Sequence, residues 1–235
     1  MTVQKIDLKS SAFDGKACLC LSTLPFQQLE EMKATFLHPN ELSFLNNLSA
    51  ERRKISFLSG RYAAKKALSA YLDEDDMRKI AIHHGIFEQP IVTHPKRSNV
   101  HVSISHCNDW GSAVAFPEEC PMAIDIERVD DHNEKIINTQ CSSEELEILS
   151  AGTLPERVSL PLLWTAKEAL SKVLRCGLRM PFTILEIQNI KKDNDSFVLN
   201  FKNFPQYKAI SFIIKDMACS IIAPVHVDIK LHTNI

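Results

Sequence analysis

The sequence predicts an α/β (α+β) protein of two similar halves, each a small, mainly antiparallel sheet packed against a long helix. Three observations predict it. Ala63–Leu72 matches Thr165–Leu174 at six of ten positions, 102 residues further on. Gly111–Pro117 resembles Ala218–Pro224 in the same order, at a nearly equal offset of 107. The hydrophobic period also switches between two, as in Val100–Phe116, and 3.6, as in Ser159–Gly177, which marks strands and helices in one chain. The halves fall at residues 1–117 and 118–235, joined near Pro117–Pro121, and such a pair is expected to pack about a pseudo-twofold axis.

Taken in order, residues 26–50 read as one or two short helices, with Pro39-Asn40-Glu41-Leu42 as a helix start. Ile80–His84 and Ile86–Val92 read as strands around Gly85, followed by a polar loop at His94–Asn99. Val100–Phe116 alternates as a half-buried hairpin with its turn at Asn108-Asp109: Val102 and Ile104 take one face, Ser103 and Ser105 the other. In Met122–Glu127 the same alternation sends Ile124 and Ile126 into a core and Asp125 and Glu127 together to the opposite side. Residues 128–141 form a polar connection, and Ser142–Glu145 is a capping box that opens a short helix. The next helix is expected over 159–177, capped by Ser159, with Pro161 in its first turn and Gly177 at its end. Its apolar stripe is Leu162, Leu163, Ala166, Leu170, Val173 and Leu174. Glu168 and Lys172, four apart, lie away from that stripe. Residues 196–203 and 211–224 have strand character.

Asp125, Glu127, Glu168 and Lys172 together describe a metal and phosphate site. Magnesium is a hard cation that takes few protein carboxylates and completes its shell with water and phosphate oxygens. The substrate expected from such a set is a phosphoanhydride. In the repeat, Lys66 and Ala70 stand where Glu168 and Lys172 stand, so the metal chemistry belongs to the second half alone.

At this point the chain resembles the Sfp-type 4′-phosphopantetheinyl transferases. The residues that carry the likeness are Ser103-Ile104-Ser105-His106, Ala123-Ile124-Asp125-Ile126-Glu127 and Trp164-Thr165-Ala166-Lys167-Glu168-Ala169-Leu170-Ser171-Lys172, with Arg53–Ala64 upstream as a basic helix entry. The resemblance implies transfer of the 4′-phosphopantetheine group from coenzyme A to a serine of an apo acyl or peptidyl carrier protein, giving holo-carrier protein and 3′,5′-ADP. Magnesium would be held by Asp125, Glu127 and Glu168. Glu168 would take the serine proton, and Lys172 would neutralise charge on the departing nucleotide. Lys167 is a subsidiary candidate at the pyrophosphate. Arg53, Arg61 and His106, with Ser105, would hold the 3′-phosphate from the first half, since arginine forks suit phosphate.

Two other readings use the same residues: a different magnesium-dependent phosphotransferase or phosphohydrolase, and a non-catalytic coenzyme A or carrier-binding module. Fatty-acid, polyketide and nonribosomal-peptide carriers all offer the acceptor serine, and loops such as 128–143 are expected to choose among them. The chain departs from the family at Glu88-Gln89-Pro90, where many members carry Gly-Lys-Pro or Gly-x-Pro, and at Ala123, where they carry glycine.

Composition neither contradicts nor demands this. At 235 residues, 45% hydrophobic, the chain can bury a sizeable core. A net charge of −2 gives no global basic field to recruit nucleic acid. The first residues lack the apolar core of a signal peptide, and no apolar run nears the roughly 18 residues of a membrane helix. Seven cysteines without a CxxC pair read as reduced thiols. His83, His84, His94 and His101 have no convergent metal-ligand spacing. A cytoplasmic monomer, free of nucleic acid and membrane, is expected.

Overall fold

The computed structural model describes residues 1–130 and 139–231. In chain order the elements are β1 (Thr2–Lys9), β2 (Asp14–Ser22), α1 (Phe26–Phe36), α2 (Pro39–Asn46), α3 (Glu51–Leu72), β3 (Ala81–His84), β4 (Pro90–Thr93), β5 (His101–Cys107), β6 (Trp110–Phe116), β7 (Ala123–Arg128), α4 (Ser143–Ser150), α5 (Glu156–Val173), β8 (Ile187–Asp193), β9 (Ser196–Phe201), β10 (Tyr207–Ile214), β11 (Met217–Pro224) and β12 (Asp228–Leu231). They form two compact units, Met1–Pro121 together with β12, and Met122–His226.

The first unit is an antiparallel sheet in the order β12-β1-β2-β6-β5, with β3 and β4 as a separate ribbon. Helix α3 lies on this sheet through small residues. Ala63, Ala64, Ala67 and Leu68 share one core with Cys20, Val102, Ala113 and Ala115. The approach is close enough to require glycine in β6, because a Cβ on Gly111 would stand 2.0 Å from the carbonyl oxygen of Ser59. A second cluster, Leu29, Phe36, Leu37, Leu45, Leu58 and Tyr62, seats α1 and α2 against α3.

The second unit is an antiparallel sheet in the order β7-β11-β10-β9-β8. Helix α5 covers it through Leu162, Leu163, Ala166, Ala169 and Leu170, which pack with Ala123, Leu199, Ala218 and Ile222. Apart from β1, α1 and β12, which have no counterpart, the elements β2, α2, α3, β3, β4, β5 and β6 recur here as β7, α4, α5, β8, β9, β10 and β11, so the protein holds two similar α/β halves. They differ where β8 and β9 continue the sheet beside β10, whereas β3 and β4 stay apart from β5.

Several local expectations change. Helix α5 starts at Glu156, behind Pro155, and the Ser159 hydroxyl donates to the Glu156 carbonyl at 2.8 Å, so it is no cap. Pro161 therefore sits inside the helix. The helix ends before Gly177: Arg175 takes φ 55°, Cys176 N–H donates to Ser171 O at 3.1 Å, and Arg175 N–H donates to Lys172 O at 3.2 Å. This pair of bonds closes the last turn. Residues 85–89 turn instead of continuing a strand, with Gly85 N–H donating to Gln89 O at 2.8 Å. The segment 211–224 spans two strands, β10 and β11, split where Lys215 takes φ 55°. Among the described residues no helix is long and apolar enough to cross a membrane, and the seven cysteines are free thiols.

Candidate active site

Strand β7 pairs with β11 so that Asp125 faces Ser220 and Glu127 faces Ala218. Residues two apart share a face, so Asp125 and Glu127 lie on the side of Ala123, which packs beneath α5. Ile124 and Ile126, on the other face, are also buried. The carboxylates thus project into the strand–helix layer, not onto an open face.

Helix α5 supplies what meets them. Lys172 Nζ donates to Asp125 Oδ1 at 2.8 Å and to the Ile124 carbonyl at 3.0 Å. Glu168, one turn earlier, is half-buried, and burial followed by the nearby charge of Asp125 pushes its carboxyl up to about 7, with Glu127 adding to the rise and Lys172 opposing it. The same helix is tied to the sheet by hydroxyls: Thr165 Oγ1 and Ser220 Oγ share a hydrogen bond of 2.7 Å, as do Ser220 Oγ and Ser211 Oγ. Sequence reasoning missed this buried chain, because isolated Ser and Thr residues carry no pattern that pairs them.

Lys167, a candidate for the pyrophosphate, is instead fully buried and bound to Glu145, the capping-box residue of α4. The signal that pointed to it was present in the repeat, where Lys65 and Lys167 are identical matches.

Among the described residues no group of three His, Cys, Asp or Glu side chains stands ready to hold a metal ion. The expected set of Asp125, Glu127 and Glu168 is therefore not closed, and Asp125 is engaged by Lys172. The donor chemistry nonetheless fits a hard divalent cation. Hard oxygen ligands lie at hand, and burial followed by the charges of Asp125 and Glu127 disfavours the ionised Glu168 carboxylate, a cost that a cation offsets.

In the first unit the predicted residues are spread along α3 and β5. Arg53 is exposed in the first turns of α3. Arg61 is buried, its Nη1 donating to the Ile82 carbonyl at 3.2 Å and lying 3.5 Å from Glu41 Oε1. Its guanidinium carbon stands 4.9 Å from the Phe57 ring centre. A cavity of about 300 Å³ opens beside it, lined by Glu41, Phe44, Phe57, Arg61, His83 and His84 among others. Ser105 is buried on β5, where its carbonyl accepts from the Ser112 hydroxyl at 3.3 Å. His106 is exposed, and its Cδ2 lies 3.8 Å from where a Cβ on Gly60 would stand. The structure brings Asp125, Glu168 and Lys172 together, and it turns Arg61 toward Glu41. Of the expected carrier-selecting loop 128–143, residues 131–138 lie outside the described residues.

The fold and site define a class: a duplicated α/β protein in which one half carries an acidic strand crossed by a helix with a carboxyl and an ammonium. Residues 121–222 match the family model of the 4′-phosphopantetheinyl transferase superfamily, and Asp125, Glu127, Glu168 and Lys172 all fall inside the match. A holo-[acyl-carrier-protein] synthase of Mycoplasma capricolum subsp. capricolum is 31% identical over 90 residues, covering 38% of this chain and 80% of the relative. Another, from Lactococcus lactis subsp. cremoris, is 38% identical over 82 residues, covering 32% of this chain and 67% of the relative. A crystal structure of a holo-(acyl-carrier-protein) synthase from Bacillus anthracis in complex with CoA (3′,5′-ADP) is similar at 22% identity with a TM-score of 0.35, covering 49% of this chain and 96% of that one. The chain belongs to the 4′-phosphopantetheinyl transferase superfamily.

Proposed function

We propose that this protein is a magnesium-dependent 4′-phosphopantetheinyl transferase that moves the phosphopantetheine group of coenzyme A onto a serine of an apo acyl or peptidyl carrier protein. The observation that carries this reading is the meeting of Lys172 with Asp125 at 2.8 Å beside Glu168, inside the segment that the family model matches. The carriers it serves belong to fatty-acid, polyketide or nonribosomal-peptide assembly.

Asp125, Glu127 and Glu168 would hold the magnesium, which when bound supplies charge neutralisation at the pyrophosphate. Glu168 accepts the serine proton, directly or through water, from its place beside the metal and the incoming hydroxyl. The serine oxygen bonds to the phosphorus that carries the pantetheine arm, and the bond from that phosphorus to the bridging oxygen breaks. The bridging oxygen leaves with 3′,5′-ADP, and the Lys172 ammonium balances its charge. Phosphoryl transfer needs positioning and electrostatics more than covalent help, and these residues supply both.

Arg53, His106 and Ser105, with Arg61 at the edge of its aromatic cavity, provide the cations and donors for the 3′-phosphate.

The test is the intact mass of an apo carrier protein incubated with this protein, coenzyme A and magnesium, with a parallel EDTA sample. The expected result is a gain of one phosphopantetheine group that EDTA prevents, with dephospho-coenzyme A a much poorer donor. No gain across fatty-acid, polyketide and peptide carriers, despite measurable coenzyme A binding, overturns the transferase reading in favour of a binding module. Equal use of the dephospho donor removes the 3′-phosphate role from Arg53, Arg61, Ser105 and His106.

A further inference from the structure

Lys167 precedes Glu168 on α5 but turns into the protein. Its side chain is fully buried, with Nζ 2.6 Å from Oε2 of the equally buried Glu145 and 3.1 Å from the Gln140 carbonyl. Glu145 is more than a counter-ion. Its Oε1 accepts from Ile187 N–H at 2.8 Å, and its Oε2 accepts from Ser142 N–H at 2.9 Å. One carboxylate therefore joins the turn of α5 next to Glu168, the entry to β8 and the start of α4.

The first unit contains the same device. Lys65 Nζ lies 2.7 Å from Glu41 Oε2, and Glu41 accepts from Ile82 N–H at 3.1 Å and from His38 N–H at 2.8 Å. There the residue after the lysine is Lys66, not a glutamate, and the strand facing α3 carries Cys20 where β7 carries Asp125. The brace is common to both halves, but only in the second does it stand next to acidic chemistry.

We propose that Lys167 and Glu145 are positioning residues: by fixing the rotation and height of α5 over β7, they hold Glu168 at the distance from Asp125 that cation binding and proton acceptance require. The proposal rests on the transferase reading above. The apolar contacts of α5, mostly Leu and Ala with Val158, Trp164 and Val173 at their margin, are largely non-directional and tolerate a small slide of the helix. A buried ion pair with three further hydrogen bonds fixes one arrangement.

The experiment compares Lys167→Met, Lys167→Arg and the first-half control Lys65→Met, each in the full chain. Two measurements are made: carrier-loading kinetics, giving kcat and KM for coenzyme A, and the rise in melting temperature that magnesium produces without any substrate. Lys167→Met is expected to lower kcat by about 100-fold, the scale of a small misplacement of a catalytic group, with KM changed less than about threefold. It is also expected to lose the magnesium-induced rise, and Lys167→Arg to restore part of both. Lys65→Met is expected to melt earlier yet keep the magnesium response.

Equal loss of melting temperature in the two methionine variants, with the magnesium response and kcat of both unchanged, overturns the positioning role and leaves a fold brace alone. If Lys167→Met does not fold, Glu145→Gln, which keeps the shape and accepts through one oxygen, is read by the same two measures with the same expectations. Wild-type protein that loads no carrier sinks the transferase reading. An active wild type whose Lys167 variant keeps its kcat sinks only this one.

Discussion

The ammonium of Lys172 donates to Asp125 at 2.8 Å, joining a helix and a strand that lie far apart in the chain. Because Lys172 already neutralises one carboxylate, a divalent cation at Asp125 competes with it. Lys172→Ala is expected to lower kcat by roughly 10²–10³-fold, as loss of a charge-stabilising group does, without weakening magnesium binding measured by calorimetry. Weaker magnesium binding in this variant means that Lys172 orders the carboxylates instead of serving the leaving group.

Glu168 gives the protein a pH-dependent stability with a defined sign. Its carboxyl is raised from 4.5 to about 7, so the folded state holds the proton more tightly than the unfolded chain. The stabilisation is complete below the unfolded value and is lost as pH rises through 7, an effect on the order of 1–3 kcal/mol. Urea midpoints between pH 5 and pH 8 are expected to fall in the wild type and to be flatter in Glu168→Gln. Magnesium is expected to flatten the wild-type profile too, since a bound cation favours the carboxylate. An identical slope in both proteins assigns the pH dependence to other groups.

Glu88 occupies the left-handed region at φ 61° in the β3–β4 turn, a conformation that favours glycine. A side chain there costs about 1 kcal/mol or more, and its contact with the His84 ring, 3.4 Å away on an exposed surface, returns little. Glu88→Gly is expected to raise the melting temperature by roughly 2–4 °C. A lower melting temperature assigns a stabilising contact to Glu88 that outweighs the strain.

The placement of the charged residues was legible where it followed a local period. Alternation placed Asp125 with Glu127, and helical spacing placed Glu168 with Lys172. Boundaries failed where an unusual backbone decided them: Arg175 and Lys215, not glycine, take the positive φ that ends α5 and separates β10 from β11. Lys167 resisted reading because a charged residue within a helix reads as solvated, and its partner Glu145 lies 22 residues away. Strand β12 was unreadable for a similar reason, since its only described ladder partner is β1, near the other end of the chain.

The sequence by itself determined that the protein has two similar halves and that the acidic set belongs to the second, because both follow from a repeat and from periods of two and 3.6 residues. Only the tertiary structure decided that the acidic strand lies beneath α5, that Asp125 is held by Lys172, that Arg61 faces Glu41 and that Lys167 is a buried brace. Those outcomes depend on contacts across tens of residues. Their geometry is set by packing and desolvation, which no local spacing encodes.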